Sequence, residues 1–131
     1  MEKMLVFLNS LYLGMASFFS FYVAPTLFKV LGKEQAGKVV EKVFPVYFGV
    51  GGLVALLSVL LGFRIGKFFV LLAILNLLLH ILQEFYILPT ANQLKQSNYE
   101  EFMRWHGISV SVNLAILVIT LLMVVIILRK L

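Results

Sequence analysis

The stretch 76-NLLLHILQEFYILPTANQLKQSNYEEFMRWHGISVSVN-113 decides how this chain folds. Apolar runs long enough to cross a bilayer flank it on both sides. Within it lie both histidines, the only tryptophan and three of the six carboxylates, Glu84, Glu100 and Glu101. Polar atoms at membrane depth find no bulk water, so they must be solvated by protein, by trapped water or by a ligand. Chemistry or transport, if the chain performs either, belongs here.

Outward from this stretch, four apolar segments each approach the roughly 20 residues that a helix needs to cross about 30 Å of hydrocarbon. They cover residues 4–24, 44–63, 68–88 and 103–128. Hydrophobic residues make up 62% of the 131, and the mean hydropathy is +1.03. A soluble domain runs nearer about 45–50% apolar. Strand-like alternation is absent, so the expected fold is an all-α, four-transmembrane-helix bundle forming one domain over residues 1–131. The apolar run of the first segment is too long for a cleavable leader and is read as a retained span.

The first connection, from Leu27 to Phe44, places Val39, Val40, Val43 and Phe44 at helical spacing with Lys33, Glu34, Lys38, Glu41 and Lys42 on the other faces. This pattern predicts a short amphipathic helix at the membrane interface or a solvated helical linker. FRIGKFF at 63–69 is only a tight turn and forces an antiparallel pair. Phe21-Tyr22-Val23-Ala24-Pro25-Thr26 is echoed by Phe85-Tyr86-Ile87-Leu88-Pro89-Thr90. The echo suggests two parallel two-helix repeats, with each proline ending a helix at equivalent depth.

The net charge is +5, but the basic residues sit in short segments beside apolar runs, where they set membrane orientation rather than bind nucleic acid. Lys3, Arg64, Lys67, Arg129 and Lys130 hug the span ends on one side in very short segments, where the positive-inside rule is most reliable, against Lys29, Lys33, Lys38, Lys42, Lys95 and Arg104 on the other. That rule therefore predicts a multi-pass protein of the cell (inner) membrane with both termini cytoplasmic. With no cysteine there is no disulfide, thiolate site or thiol nucleophile.

On the third segment Asn76, His80 and Glu84 recur every four residues and share one face, flanked by Gln83. On the fourth, His106, Ser109 and Asn113 do the same. Facing stripes would form a polar ligand site or ion path. Three chemistries remain open. His80 and His106 could ligate a transition metal, with Met15, Met103 or Met123 as soft helpers. They could hold a haem axially, or the cluster could relay protons or another cation through a gated channel. No enzymatic activity is expected. Asn9 and Tyr12 could add polar atoms from the first segment, and Trp105 reads as an interfacial anchor. Ser10, Gly14 and Ser17, with Gly49, Gly51 and Gly52, form small-residue faces that let helices approach closely. Such faces suit homo-oligomerisation as well as packing within the bilayer. A ligand-free assembly factor, whose polar stripes only hold helices together, is the plainest alternative.

Three segments taken together, Ala24-Pro25-Thr26-Leu27-Phe28, Phe44-Pro45-Val46-Tyr47-Phe48 and Phe102-x-x-Trp105-His106-x-x-Ser109 with Asn113 following, resemble the four-span family typified by transmembrane protein 205 and its bacterial relatives of unknown function. Ala36-Gly37 fits the same pattern. Trp105 stands where that family usually has leucine. The resemblance implies a four-helix membrane fold. Through a distant similarity to copper-resistance D proteins and a haem-pathway oxidase, it also implies metal or haem at His106. No family motif underlies His80.

Overall fold

A computed structural model describes residues 1–131, and all of its regular structure is helical. Four helices are long and apolar enough to cross a membrane: α1 (Glu2–Leu31), α2 (Lys33–Arg64), α3 (Lys67–Leu94) and α4 (Tyr99–Lys130). α1 packs on α2 and α4, and α3 packs on the same two, so the helices stand in chain order around the bundle axis. Outward faces carry residues such as Phe7, Phe18, Leu71 and Val118, all well exposed. In water these would form a large apolar surface; in a bilayer they meet lipid tails.

Each helix outruns its apolar segment, because helical hydrogen bonding continues for as long as the backbone can pair, whether or not the side chains suit lipid. The most consequential case is α2. The amphipathic segment is helical, as its periodicity predicts, but it forms the first turns of α2 rather than a separate element. Its buried residues are Ala36, Gly37 and Val40, while Val39 is 37% exposed. The apolar face is thus covered largely by protein. Gly37 lies against the Lys95 side chain, whose ammonium donates to the Gly37 carbonyl over 3.0 Å.

Pro25 and Pro89 do not end their helices. In α1 a single turn of π-helix at Phe19–Val23 precedes Pro25, and in α3 the same turn at Gln83–Ile87 precedes Pro89. Each proline opens a fresh α-helical segment, Ala24–Leu31 or Leu88–Leu94. A proline lacks the N–H needed for the i→i−4 bond and crowds the carbonyl one turn back. Widening that turn to i→i+5 spacing lets the chain continue.

The connections are short. Gly32 alone joins α1 to α2 with φ +80°, and Gly66 with φ +147° precedes α3; both angles lie where a Cβ is disfavoured. Asn98 starts α4: its Oδ1 accepts from the Glu101 N–H at 3.2 Å, and Glu100 and Glu101 occupy the positive end of the helix dipole. Asn98→Ala is expected to cost about 1 kcal/mol of stability, readable as a lowered helical melting temperature in detergent.

The end of the bundle nearest the chain termini is dry. Leu5, Ile65, Phe69, Ala73, Ile119, Met123 and Ile127 form one apolar cluster there, with Phe69 packed on Gly62. Above it the core changes character.

Candidate functional site

Seven polar side chains are buried in the bundle: Asn9, Ser58, Asn76, His80, Gln83, Ser109 and Thr120. A membrane interior offers such groups only each other and the backbone, so their pairings define the site.

Most pairings bridge helices. Asn9 Nδ2 donates to Ser58 Oγ at 3.0 Å, linking α1 to α2. Asn76 Nδ2 donates to Thr120 Oγ1 at 3.1 Å, linking α3 to α4. Gln83 and Ser109 form a reciprocal pair: the amide donates to the Ser109 carbonyl, and the serine hydroxyl donates to the Gln83 amide oxygen, each at 2.8 Å. Asn113 accepts from the Tyr47 hydroxyl at 2.9 Å and donates to Ser20 Oγ at 2.9 Å, so three helices meet at one knot. Gln83→Leu removes both bonds of a fully buried pair and is expected to cost roughly 1–3 kcal/mol, measured as a fall in the detergent melting temperature.

His80 differs from all of these. It is 1% exposed, and neither ring nitrogen has a hydrogen-bond partner in the protein. The imidazole meets the Tyr12 ring edge-on, with centroids 5.5 Å apart, and the Phe48 ring at 5.9 Å. Gly51 supplies the space for this contact. A Cβ there would collide with His80 Cε1 and stand 2.5 Å from Tyr12 Cζ and 2.6 Å from its oxygen. The Tyr12 hydroxyl and Asn76 Oδ1 are likewise buried without partners. These three residues therefore account for every unpaired buried polar side-chain atom in the molecule. An unmet buried donor or acceptor costs about 1–3 kcal/mol, so several in one place constitute a feature in need of explanation.

The two sequence stripes are distributed as follows. Ser109 pairs with Gln83 rather than with Asn76, His80 or Glu84, and Asn113 turns to α1 and α2. Glu84 lies on the α2 side, its Oε2 3.3 Å from where a Cβ of Gly49 would stand, and it forms no ion pair. His106 is half-buried and stacks on Phe102 at 5.9 Å. His80 and His106 lie on opposite sides of the Gln83–Ser109 rung, three residues away on each helix. At 1.5 Å per residue, the axial separation is about 9 Å. No three His, Asp or Glu side chains converge on one point. Trp105 contacts Tyr86 edge-on at 5.5 Å, an aromatic pair at a helix end. Of the small residues, Gly51 is buried at a helix contact, whereas Ser10, Gly14 and Gly49 are exposed and nothing lies near a Gly14 Cβ.

Ser20, Tyr47, Ser58 and Thr120 complete the polar set, and sequence spacing does not single them out. Each is a lone hydroxyl in an apolar run. The one available signal was that Ser58 and Thr120 can turn back to the carbonyl four residues before, as both do.

A helical, four-span membrane protein with a buried polar core is the class these observations define. The comparisons place it more closely: the chain belongs to the family described as Domain of unknown function (DUF4149), whose model matches residues 7–100. It is also 57% identical over 129 residues, 98% of each chain, to an uncharacterized protein of Aquifex aeolicus (strain VF5). No solved structure matches it.

Proposed function

We propose that this protein takes up protons within the bilayer, with His80 and Tyr12 as the exchanging pair of a polar file. The observation that supports this reading is the concentration of unpaired polar atoms on Tyr12, Asn76 and His80, sealed among four helices. Imidazole is the side chain that changes charge nearest neutral pH, and phenol can pass a proton by rotating its hydroxyl. The file runs from the Ser20–Asn113–Tyr47 knot to Tyr12, whose ring is 5.9 Å from that of Tyr47, then to His80 and on to Asn76 and Thr120. His106 lines a charged cleft at the loop end, which gives the file an entrance from water, and shares the adjoining cleft with Ser20, Ser109 and Asn113. Beyond Thr120 the apolar cluster around Phe69 and Met123 stands in the way of water. The arrangement favours a half-channel with a gated far side over an open pore.

The reading extends to placement. The basic residues at the terminal ends of the helices favour an inner-membrane protein with both termini in the cytoplasm. The exposed Ser10 and Gly14 favour self-association through α1. The matching π turns before Pro25 and Pro89 favour an origin by duplication.

Proton flux tests the function. Purified protein in liposomes carrying a pH-sensitive dye, driven by a potassium diffusion potential, is expected to acidify or alkalinise the lumen across pH 5–8. Protein-free liposomes should not. Wild-type protein that leaves the lumen at the protein-free rate overturns the reading.

A further inference from the structure

Two clefts at the loop end of the bundle share Phe28 and His106. The upper cleft, of about 610 Å³, lies between the first turns of α2 and the α3–α4 connection and carries Lys33, Lys38 and Lys95 on its walls against Glu34 and Glu41, an excess of one positive charge. The lower, of about 440 Å³, descends between α1, α2 and α4 past Phe19, Phe44 and Phe48 to Ser20 and Asn113. The upper is charged and aromatic; the lower is mainly apolar, with Ser20, Ser109 and Asn113 on its inner wall.

The charges are unequally committed. Lys95 is held by Glu41 at 3.4 Å and by the Gly37 carbonyl. Lys33 stands 4.0 Å above the Tyr99 ring, and neither it nor Lys38 has a carboxylate within ion-pair distance. The rim of the lower cleft is formed by Phe21, Val110 and Leu114, which are exposed on the face of the bundle that meets lipid. It therefore opens sideways, toward acyl chains rather than toward water.

We infer that the two clefts form one binding site for an anionic phospholipid drawn laterally from the bilayer. The phosphate sits at Lys33 and Lys38, where cations near a membrane surface attract anionic lipid. One acyl chain descends beside Phe19 and Phe44. A water-soluble anion would use the upper cleft and leave the lower without an occupant. A zwitterionic lipid would fill the lower cleft and offer the same phosphate, but its ammonium group would bring a like charge beside the two lysines. The lower cleft also reaches Ser20 and Asn113 of the proposed proton file, so lipid retention is read apart from proton flux.

Native mass spectrometry of the full chain, released from nanodiscs holding equal phosphatidylglycerol and phosphatidylcholine of identical chains, tests it. The expected result is one phosphatidylglycerol retained per chain, in preference to phosphatidylcholine by about tenfold or more. The double variant Lys33→Glu/Lys38→Glu is expected to lose that preference. Val110→Trp, which fills the lower cleft and leaves the lysines in place, is expected to lose retention itself. Both changes are at exposed positions, and circular dichroism melts confirm that each variant is folded. Equal retention of the two lipids overturns the assignment. So does a preference that survives both variants, or displacement of the bound lipid by millimolar inorganic phosphate.

Discussion

Replacing His80 with leucine is expected to make the protein more stable and to abolish the proposed proton uptake. A histidine kept only for packing predicts the opposite sign on the first measurement. The ring has no hydrogen-bond partner at either nitrogen and is shut away from water. Each unmet polar atom in such a place costs about 1–3 kcal/mol. Leucine occupies a similar volume between Tyr12, Phe48 and Gly51 without carrying that cost, and replacing a buried polar group by an apolar one of like shape is neutral or stabilising. The expected rise in stability is about 1–3 kcal/mol, several degrees in melting temperature for a chain of this length. Circular dichroism in detergent reads the first effect and the liposome dye assay the second. A variant that melts lower than wild type would show that the imidazole is satisfied in the folded protein, and a variant that retains flux would remove His80 from the path.

Gly51→Val is expected to be the most damaging single change in the core. Its Cβ would fall among the rings of His80 and Tyr12, which are themselves wedged against Phe48 and Tyr47 and cannot swing away. Overpacking of this kind costs typically about 1–3 kcal/mol, and more when ring systems cannot move. Gly52→Ala, one residue on, is the control. A Cβ there meets His80 Cβ at 3.6 Å, an ordinary contact, and removing a helical glycine regains about 0.5–1 kcal/mol. The two variants are therefore expected to shift the melting temperature in opposite directions. A shared loss would mean that α2 tolerates no side chain on this face, and that the close approach at Gly51 has no special part.

The helical membrane class could be read from the sequence because lipid leaves the backbone few choices: four apolar runs of sufficient length imply four helices. Where the helices end could not, since hydropathy reports the lipid-facing stretch and not the hydrogen-bond ladder. The connection from Leu27 to Phe44 therefore read as a separate interfacial helix or a solvated helical linker, although from Lys33 onward it is continuous with α2. Pro25 and Pro89 read as stops because a proline usually is one, and the π turns that carry the chain past them leave no trace in composition. The inward orientation of Asn76 and His80 followed from their four-residue spacing, and both are buried. Which partner each would meet did not follow. His80 reaches Tyr12 across the bundle because Gly51 on a third helix leaves room, a three-body fact that no single periodicity contains. Asn113 shares a stripe with Ser109 yet bonds to α1 and α2, because its side chain meets the Tyr47 hydroxyl and Ser20 before anything on α3.

The paired π turns have a mechanical side. A helix resists bending through its regular ladder of i→i−4 hydrogen bonds, and that ladder is interrupted in α1 at Phe19–Val23 and in α3 at Gln83–Ile87. These two helices stand diagonally across the bundle, and their interruptions fall at similar distances from the helix starts. Flexure therefore costs least at one common level, just above His80. The loop-end halves of α1 and α3 are two levers on a shared fulcrum, standing on the apolar cluster around Phe69 and Met123, and a tilt of either shifts the packing above the imidazole before it disturbs anything below.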